Sequence, residues 1–191
     1  MLDLGIKEFK KFSLPETICG ERVIIERRTH KHDEELFNLI NNSREFLRPY
    51  LFWVDDTQSL DDVKNVTNIF SNNWDEQKSF EYVFLDKNTK QLVGAGGIHT
   101  VSYMHRWAEF GYYLAQNATG HGYITEVVNL LTQALFDNGI KRVVIECDKE
   151  NTASAKVAER CGFEYEGCQK QARFAYGEYR DELIYAKINS K

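Results

Sequence analysis

"AEFGYYLAQNATGHGYITEVV", residues 108–128, decides how this chain folds. Its first part alternates as a strand does, and "RWAEFGYYLA" (106–115) is read as one. Its last part opens an amphipathic helix that runs on through "NLLTQALF" (129–136). Between them Gly120 and Gly122 flank His121. Bare backbone just ahead of a helix suits an anion, a tight turn, or nothing beyond a helix start. The first helical turn presents unpaired N–H groups and a partial positive charge, and glycine lets a phosphate come close to them. Two standard nucleotide signatures fail. No Lys-Ser or Lys-Thr pair follows the glycines, and "GAGGIH" (94–99) lacks both a third spaced glycine and a helix after it.

Working outward, strands and helices mix. "RVIIERR" (22–28) reads as a strand, "HDEELFNLINNS" (32–43) as a helix with an apolar stripe, and "REFLRPYLFW" (44–53) as a short helix broken at Pro49. Ser59, followed three residues later by Asp62, marks a helix start reaching about Trp74. "SFEYVFLD" and "QLVGAGGIH" alternate around "KNTK", a hairpin. After the glycine loop come a strand "KRVVIECD" (141–148), a short helix "TASAKVAERCG" (152–162) and two closing strands, "FEYEGCQ" and "YRDELIYAKI". Hairpins early and strand–helix–strand crossovers later predict an α/β (α+β) domain: one mixed, mostly antiparallel sheet of about seven strands, flanked by helices. The end of the 106–115 strand, with a helix N-terminus aimed at it, is the natural ligand site.

Bulk properties set limits. The 191 residues, 42% of them hydrophobic and only two of them proline, fit one domain without a linker. No apolar run spans a bilayer, and the opening "MLDLGIKEFKKFSL" lacks the features of a signal peptide. Cys19, Cys147, Cys161 and Cys168 show no C-x-x-C spacing and read as reduced thiols, so a cytoplasmic protein without a metal site is expected. A net charge of −5 argues against nucleic-acid binding. Residues 31–80 carry five basic and ten acidic side chains, and hence the whole excess. That segment fits either a cationic partner or solvated helix faces.

"RWAEFGYYL", "GHGYITE", "NTAS", "CGF" and "EGCQKQARF" together resemble the GNAT N-acetyltransferase superfamily, and within it the RimJ/RimL branch that acetylates N-terminal amines of ribosomal proteins. "REFLRPYLFW" fits that branch more loosely. The resemblance implies a single acetyltransferase domain over 1–191, with a first strand and acceptor-side helices in 20–80 and an acetyl-CoA-binding core in 81–191. It implies a sheet splayed at the cofactor, where the backbone of Tyr113, Leu114 and Ala115 pairs with the pantetheine arm. The pyrophosphate loop of the family aligns with "TGHGYI", so Thr119, Gly120, His121, Gly122, Tyr123, Ile124 and Thr125 are its expected cofactor contacts. Thr119 stands where the family has Gln or Arg, and Ile124 stands where it has Gly or Ala. The latter is expected to put a β-branched side chain near the phosphates and to alter affinity for acetyl-CoA.

The resemblance also places Asn151 on the cofactor arm and Ser154 near the thioester sulfur, as candidate proton donor to the departing thiolate. On spacing alone, plain capping of the "NTAS" helix by Asn151 or Thr152 is the preferred reading. Many relatives carry a tyrosine where Ala158 stands. Glu109 matches a family general base; the alternative is a structural carboxylate paired with Arg106. Arg173 stands where the branch often has Glu, adding a cation near the amine. Phe52 and Trp53 are candidate walls of the acceptor cleft or simple packing residues, and Arg48 is a candidate contact to a peptide carboxylate or carbonyl. Lys156 and Arg160 are placed either near the adenosine phosphates or on a solvated face. His99 and His105 read as isolated. The implied reaction is direct attack of an amine on acetyl-CoA in a ternary complex. The acceptor is a protein or peptide α-amine, or alternatively a polyamine or antibiotic amine. A CoA-binding module without turnover is the third reading, motivated by Thr119, Ala158 and Arg173. The last strand, "YRDELIYAKI", is the candidate edge for a homodimer.

Overall fold

The computed structural model describes residues 10–190. The first nine residues of the opening stretch read for a signal peptide lie outside the described residues. Eight strands form one sheet in the order β1-β2-β3-β4-β5-β6-β8-β7. They are β1 (Thr17–Cys19), β2 (Val23–Arg27), β3 (Phe80–Asp86), β4 (Leu92–Ser102), β5 (Trp107–Leu114), β6 (Arg142–Asp148), β7 (Glu164–Ala175) and β8 (Glu178–Ile188). The expected count of about seven becomes eight through β1, three residues whose extended form depends on pairing with β2. Every neighbouring pair is antiparallel except β5 and β6, the pair joined by a helical crossover.

Five α-helices cover the sheet: α1 (Asp33–Asn42), α2 (Arg44–Leu47), α3 (Leu60–Asp75), α4 (Tyr123–Asp137) and α5 (Thr152–Arg160). Ser59 caps α3 as expected. Its side chain accepts from the Asp62 N–H at 3.3 Å, while Asp62 accepts from the Ser59 N–H at 2.8 Å. α4 buries Ile124, Val127, Val128, Leu131 and Leu135 on one face. Burying each such side chain contributes about 1.5–3 kcal/mol. Along β3 the alternation separates two layers. Phe80, Tyr82 and Phe84 join the large core with α4 and α5, whereas Val83 packs with Leu36 of α1 and Val63 of α3. Glu81 shares Val83's parity and so points to the α1/α3 side.

The expected dimer edge is corrected. β8 is flanked by β7 and, over Glu182–Ile188, by β6; β7 is the edge strand at this end of the sheet. The β7–β8 hairpin folds back so that the later strand fills the place beside β6, which sequence order alone conceals.

Candidate active site

β5 and β6 pair only through Trp107↔Arg142, Ala108↔Val143 and Glu109↔Val144. Beyond Glu109 the strands separate, although β5 runs on to Leu114 and β6 to Asp148. The expected splay is therefore present. A cavity of about 860 Å³ opens here. It takes in Glu109 to Tyr113 of β5, Ile145 to Asp148 of β6, Asn151 and Ser154 at the start of α5, and Tyr50 to Trp53 on the helical side. It thus connects the α1/α3 layer with the α5 layer through the gap.

Alternation selects which β5 peptide groups face the gap. The Ala115 N–H donates to the Val93 carbonyl at 2.9 Å, so it is already paired with β4's side. Tyr113, two residues earlier, shares that direction, and Leu114 between them turns its N–H to the open side. Of the three expected backbone partners, Leu114 is the one left free by the sheet.

The glycine loop lies outside the cavity lining, at the start of α4. Gly120 and Gly122 adopt φ of 82° and 81°, the left-handed region glycine favours, and a Cβ at either would meet no protein atom within 4 Å. The space a side chain would fill is open. Gly122 caps α4 without a side-chain bond, and the first ladder bond runs from the Glu126 N–H to the Gly122 carbonyl at 3.2 Å. The N–H groups of Tyr123, Ile124 and Thr125 precede it and are the unpaired donors of a helix start. This cradle fits a pyrophosphate.

Side chains in the loop have other tasks. Thr119 donates to the Gln116 carbonyl at 2.9 Å. The Tyr123 hydroxyl bonds Asp86, which helps hold that carboxyl down to about 2, behind the Thr89 amide as the larger cause. His121 is exposed. The expectation for Ile124 is corrected: its side chain is buried in the core beneath α4, and only its amide faces the loop.

At α5 both readings of "NTAS" hold. The Asn151 side chain accepts from the Ser154 N–H at 3.1 Å, capping the helix. The Ser154 hydroxyl, part-buried, shares a hydrogen bond of 3.0 Å with the Tyr112 hydroxyl. Burial pushes the Tyr112 phenol well above its ordinary value, so it stays protonated. Tyr112 was not singled out from sequence. Ala158 is fully buried, with its position closed to the cleft. Lys156 and Arg160 are exposed, as the solvated-face reading has it.

On the acceptor side the pairing of Glu109 with Arg106 is not found. Glu109 accepts from the Thr100 hydroxyl at 3.2 Å, and the Arg106 guanidinium reaches the Lys10 carbonyl at 3.4 Å. Trp53 packs edge-on against Tyr113 with ring centroids 5.3 Å apart, and Phe52 lines the cavity while remaining exposed. Burial lifts the Tyr113 phenol to about 12. Arg173 lines the cavity too, but it is not an unbalanced cation: it pairs with Glu182 and donates to the Tyr50 carbonyl at 3.1 Å. Arg48 is absent from the lining. It is held by Asp55 at 3.0 Å and lies over the Tyr176 ring.

The reading of His99 as isolated is also corrected. Its Nε2 lies 3.3 Å from Glu81 Oε1. Glu81 is buried, and Oε1 makes no hydrogen bond among the described residues. Burial pushes the Glu81 carboxyl up, opposed by His99 and Arg28. Arg28, itself buried, donates to the Thr67 hydroxyl at 3.0 Å and the Val63 carbonyl at 3.2 Å. The missed signal was a glutamate inside the apolar strand "SFEYVFLD".

The family model "Acetyltransferase (GNAT) domain" matches residues 22–164. The ribosomal-protein-serine acetyltransferase of Escherichia coli (strain K12) is 29% identical over 177 residues, covering 92% of this chain and 98% of that protein. Among solved structures, RimL, the ribosomal L7/L12 α-N-protein acetyltransferase in complex with coenzyme A, superposes with a TM-score of 0.86 at 25% identity, covering 91% of this chain and 98% of the other. The microcin C7 self-immunity acetyltransferase MccE, in complex with acetyl-CoA and AMP, gives 0.85 at 26%, covering 89% and 94%. The matched region holds the splayed strands, the glycine loop and the capped α5 start, and with them the chain belongs to the GNAT acetyltransferase family, enzymes whose acetyl donor is acetyl-CoA.

Proposed function

We propose that the protein acetylates a primary amine by direct attack in a ternary complex, and that the acceptor is the N-terminal α-amine of a protein or peptide, of the ribosomal-protein kind. The observation that carries this reading is the cavity itself, which joins the splayed strands to the helical side through one opening. Acetyl-CoA supplies an acetyl group activated as a thioester. Amides at the start of α4 and the Gly120–Gly122 backbone hold its pyrophosphate. The Leu114 N–H polarises the carbonyl from the free edge of β5. The Ser154 hydroxyl, positioned by Tyr112, delivers a proton to the departing sulfur. That demand is modest, because a thiol has a pKa near 8.5. Glu109 and the aromatic pair Phe52 and Trp53 receive the acceptor. Four unpaired cysteines support a cytoplasmic setting.

An α-amine has a pKa of about 7.7–8.0, so little help is needed to neutralise it, whereas a polyamine nitrogen sits near 10.4. A small-amine acceptor is the second reading, favoured by Asp56, Asp62, Glu81 and Glu109 in the cavity wall. Turnover with acetyl-CoA should be measured on a panel of peptides with free N-termini, polyamines and aminoglycosides. Preference for peptide α-amines is expected. A higher kcat/KM on spermidine than on every peptide would overturn the first reading. Coenzyme A binding without turnover on any amine would favour a module that has lost catalysis.

A further inference from the structure

We propose that His99 is the proton acceptor for the attacking amine, with Glu81 as its positioning residue; this rests on the acetyltransferase reading above. The two come from adjacent strands. Phe80↔Ile98 and Glu81↔Gly97 pair across β3 and β4, and the register of β4 against β5 slips between Ile98 and Thr100. The bulge centres on His99 and swings its ring over β5. Room for the ring exists because residue 111 is glycine: a Cβ there would lie 2.4 Å from the imidazole Cε1. The ring therefore lies across the cavity wall beside Glu109, half-exposed to the cavity, with one nitrogen turned to the buried carboxylate.

That arrangement fixes which nitrogen is basic. A carboxylate beside Nε2 favours the proton on Nε2 and leaves the lone pair on Nδ1. Glu81 Oε1 makes no hydrogen bond among the described residues, and His99 Nε2 is the ring nitrogen that faces it at 3.3 Å; catalytic contacts of this kind tighten when substrate binds. Besides Glu81, the other titratable groups of the cavity lining are Arg28, Tyr50, Asp56, Asp62, Glu109, Tyr112, Tyr113, Glu146, Cys147, Asp148, Arg173 and Glu182. Arg28 is fixed by Thr67 and Val63, and Glu109 accepts from Thr100; among the lining side chains the His99 ring is the one that offers a nitrogen lone pair. In the transfer, the amine nitrogen forms the N–C bond and the C–S bond breaks with its electron pair going to sulfur. The nitrogen's surplus proton passes to Nδ1, and the sulfur takes one from Ser154, replenished from solvent. Glu109 attracts the incoming ammonium, which gives one proton to solvent before it attacks as the neutral amine.

The test is kcat against pH, at saturating peptide and acetyl-CoA, for wild type, His99→Gln and Glu109→Gln. Wild-type kcat should fall as pH drops through the imidazole ionisation. His99→Gln should lose about 10²-fold in kcat at pH 7.5 and lose that limb, with unchanged coenzyme A affinity by calorimetry. Glu109→Gln should keep the limb. A His99→Gln enzyme within twofold of wild type with the same limb would overturn the proposal. Independently of turnover, ¹⁵N NMR of the wild-type imidazole should show Nε2–H, shifting to a tautomer mixture in Glu81→Gln. A wild-type Nδ1–H tautomer would overturn it even if His99→Gln fails to fold. Absence of turnover on all amines with the Nε2–H tautomer intact would instead count against the acetyltransferase reading.

Discussion

Gly122→Val tests the phosphate cradle, and the expected sizes follow from the geometry. The residue sits at φ 81° with open space around it, so the side chain clashes with nothing in the protein itself. Its cost to folding is the left-handed conformation alone, about 1–2 kcal/mol. For a domain of this size that is roughly a 2–8 °C drop in Tm. The cost to binding is larger, because the isopropyl group fills the space through which a phosphate meets the amides at the start of α4. Losing two hydrogen bonds to a charged group, at about 1.5–3 kcal/mol each, weakens binding by about 3–6 kcal/mol, or roughly 10²–10⁴-fold. Calorimetric titration with coenzyme A, beside a melt of each apo protein, separates the two effects. A variant that melts a few degrees lower yet binds coenzyme A with wild-type affinity would show that the pyrophosphate sits elsewhere.

Ser154→Ala should lower kcat by about 10–100-fold while leaving the KM for acetyl-CoA within a few-fold, and Tyr112→Phe should lower it less, because the phenol acts through the serine; equal rates in single-turnover assays would remove Ser154 from the proton route. Glu81 predicts a pH dependence of stability with an inverted sign for a carboxylate. Its pKa is raised in the folded state by burial, so its contribution is full below the unfolded value near 4.3 and lost as pH rises through the folded one. Glu81→Gln should therefore be more stable than wild type in urea melts at pH 7–8, with the difference shrinking toward pH 4. A less stable variant at pH 8 would refute the assigned burial cost.

Local signals carried most of the fold. The capping box at Ser59, the "KNTK" hairpin and the strand-to-helix passage at 115–123 are written in contiguous residues, and each formed where its pattern stood. The same holds for the parts of the site that are backbone: the free edge of β5 and the start of α4. What stayed hidden depended on strand register. Glu81 and His99 are eighteen positions apart in sequence and meet only because a hairpin folds and then slips by one residue. The Ile124 side chain looked set to lie near the phosphates from its place in a motif, whereas helical phase turns it into the core and leaves only its amide on the loop. Arg173 looked like a lone cation because Glu182 reaches it only through the β7–β8 pairing.

"GAGG" (94–97), set aside as a nucleotide motif, has a consequence for how such an enzyme can change. A Cβ at Gly94 would lie 2.3 Å from the Tyr113 carbonyl oxygen, one at Gly96 2.3 Å from that of Gly111, and one at Gly97 2.0 Å from that of Phe80. The obstacles are main chain, so none can step aside as a flexible side chain would. Of the three, Gly96 lines the cavity, and retuning by single substitution is shut off at that point of the floor. Selectivity for new acceptors would drift through the opposite wall, where Tyr50 to Trp53 and the α3 residues Val66 and Phe70 present partly exposed or exposed side chains that can be exchanged singly. The floor of the cleft is fixed at that point, and the opposite wall is where variety among descendants would collect.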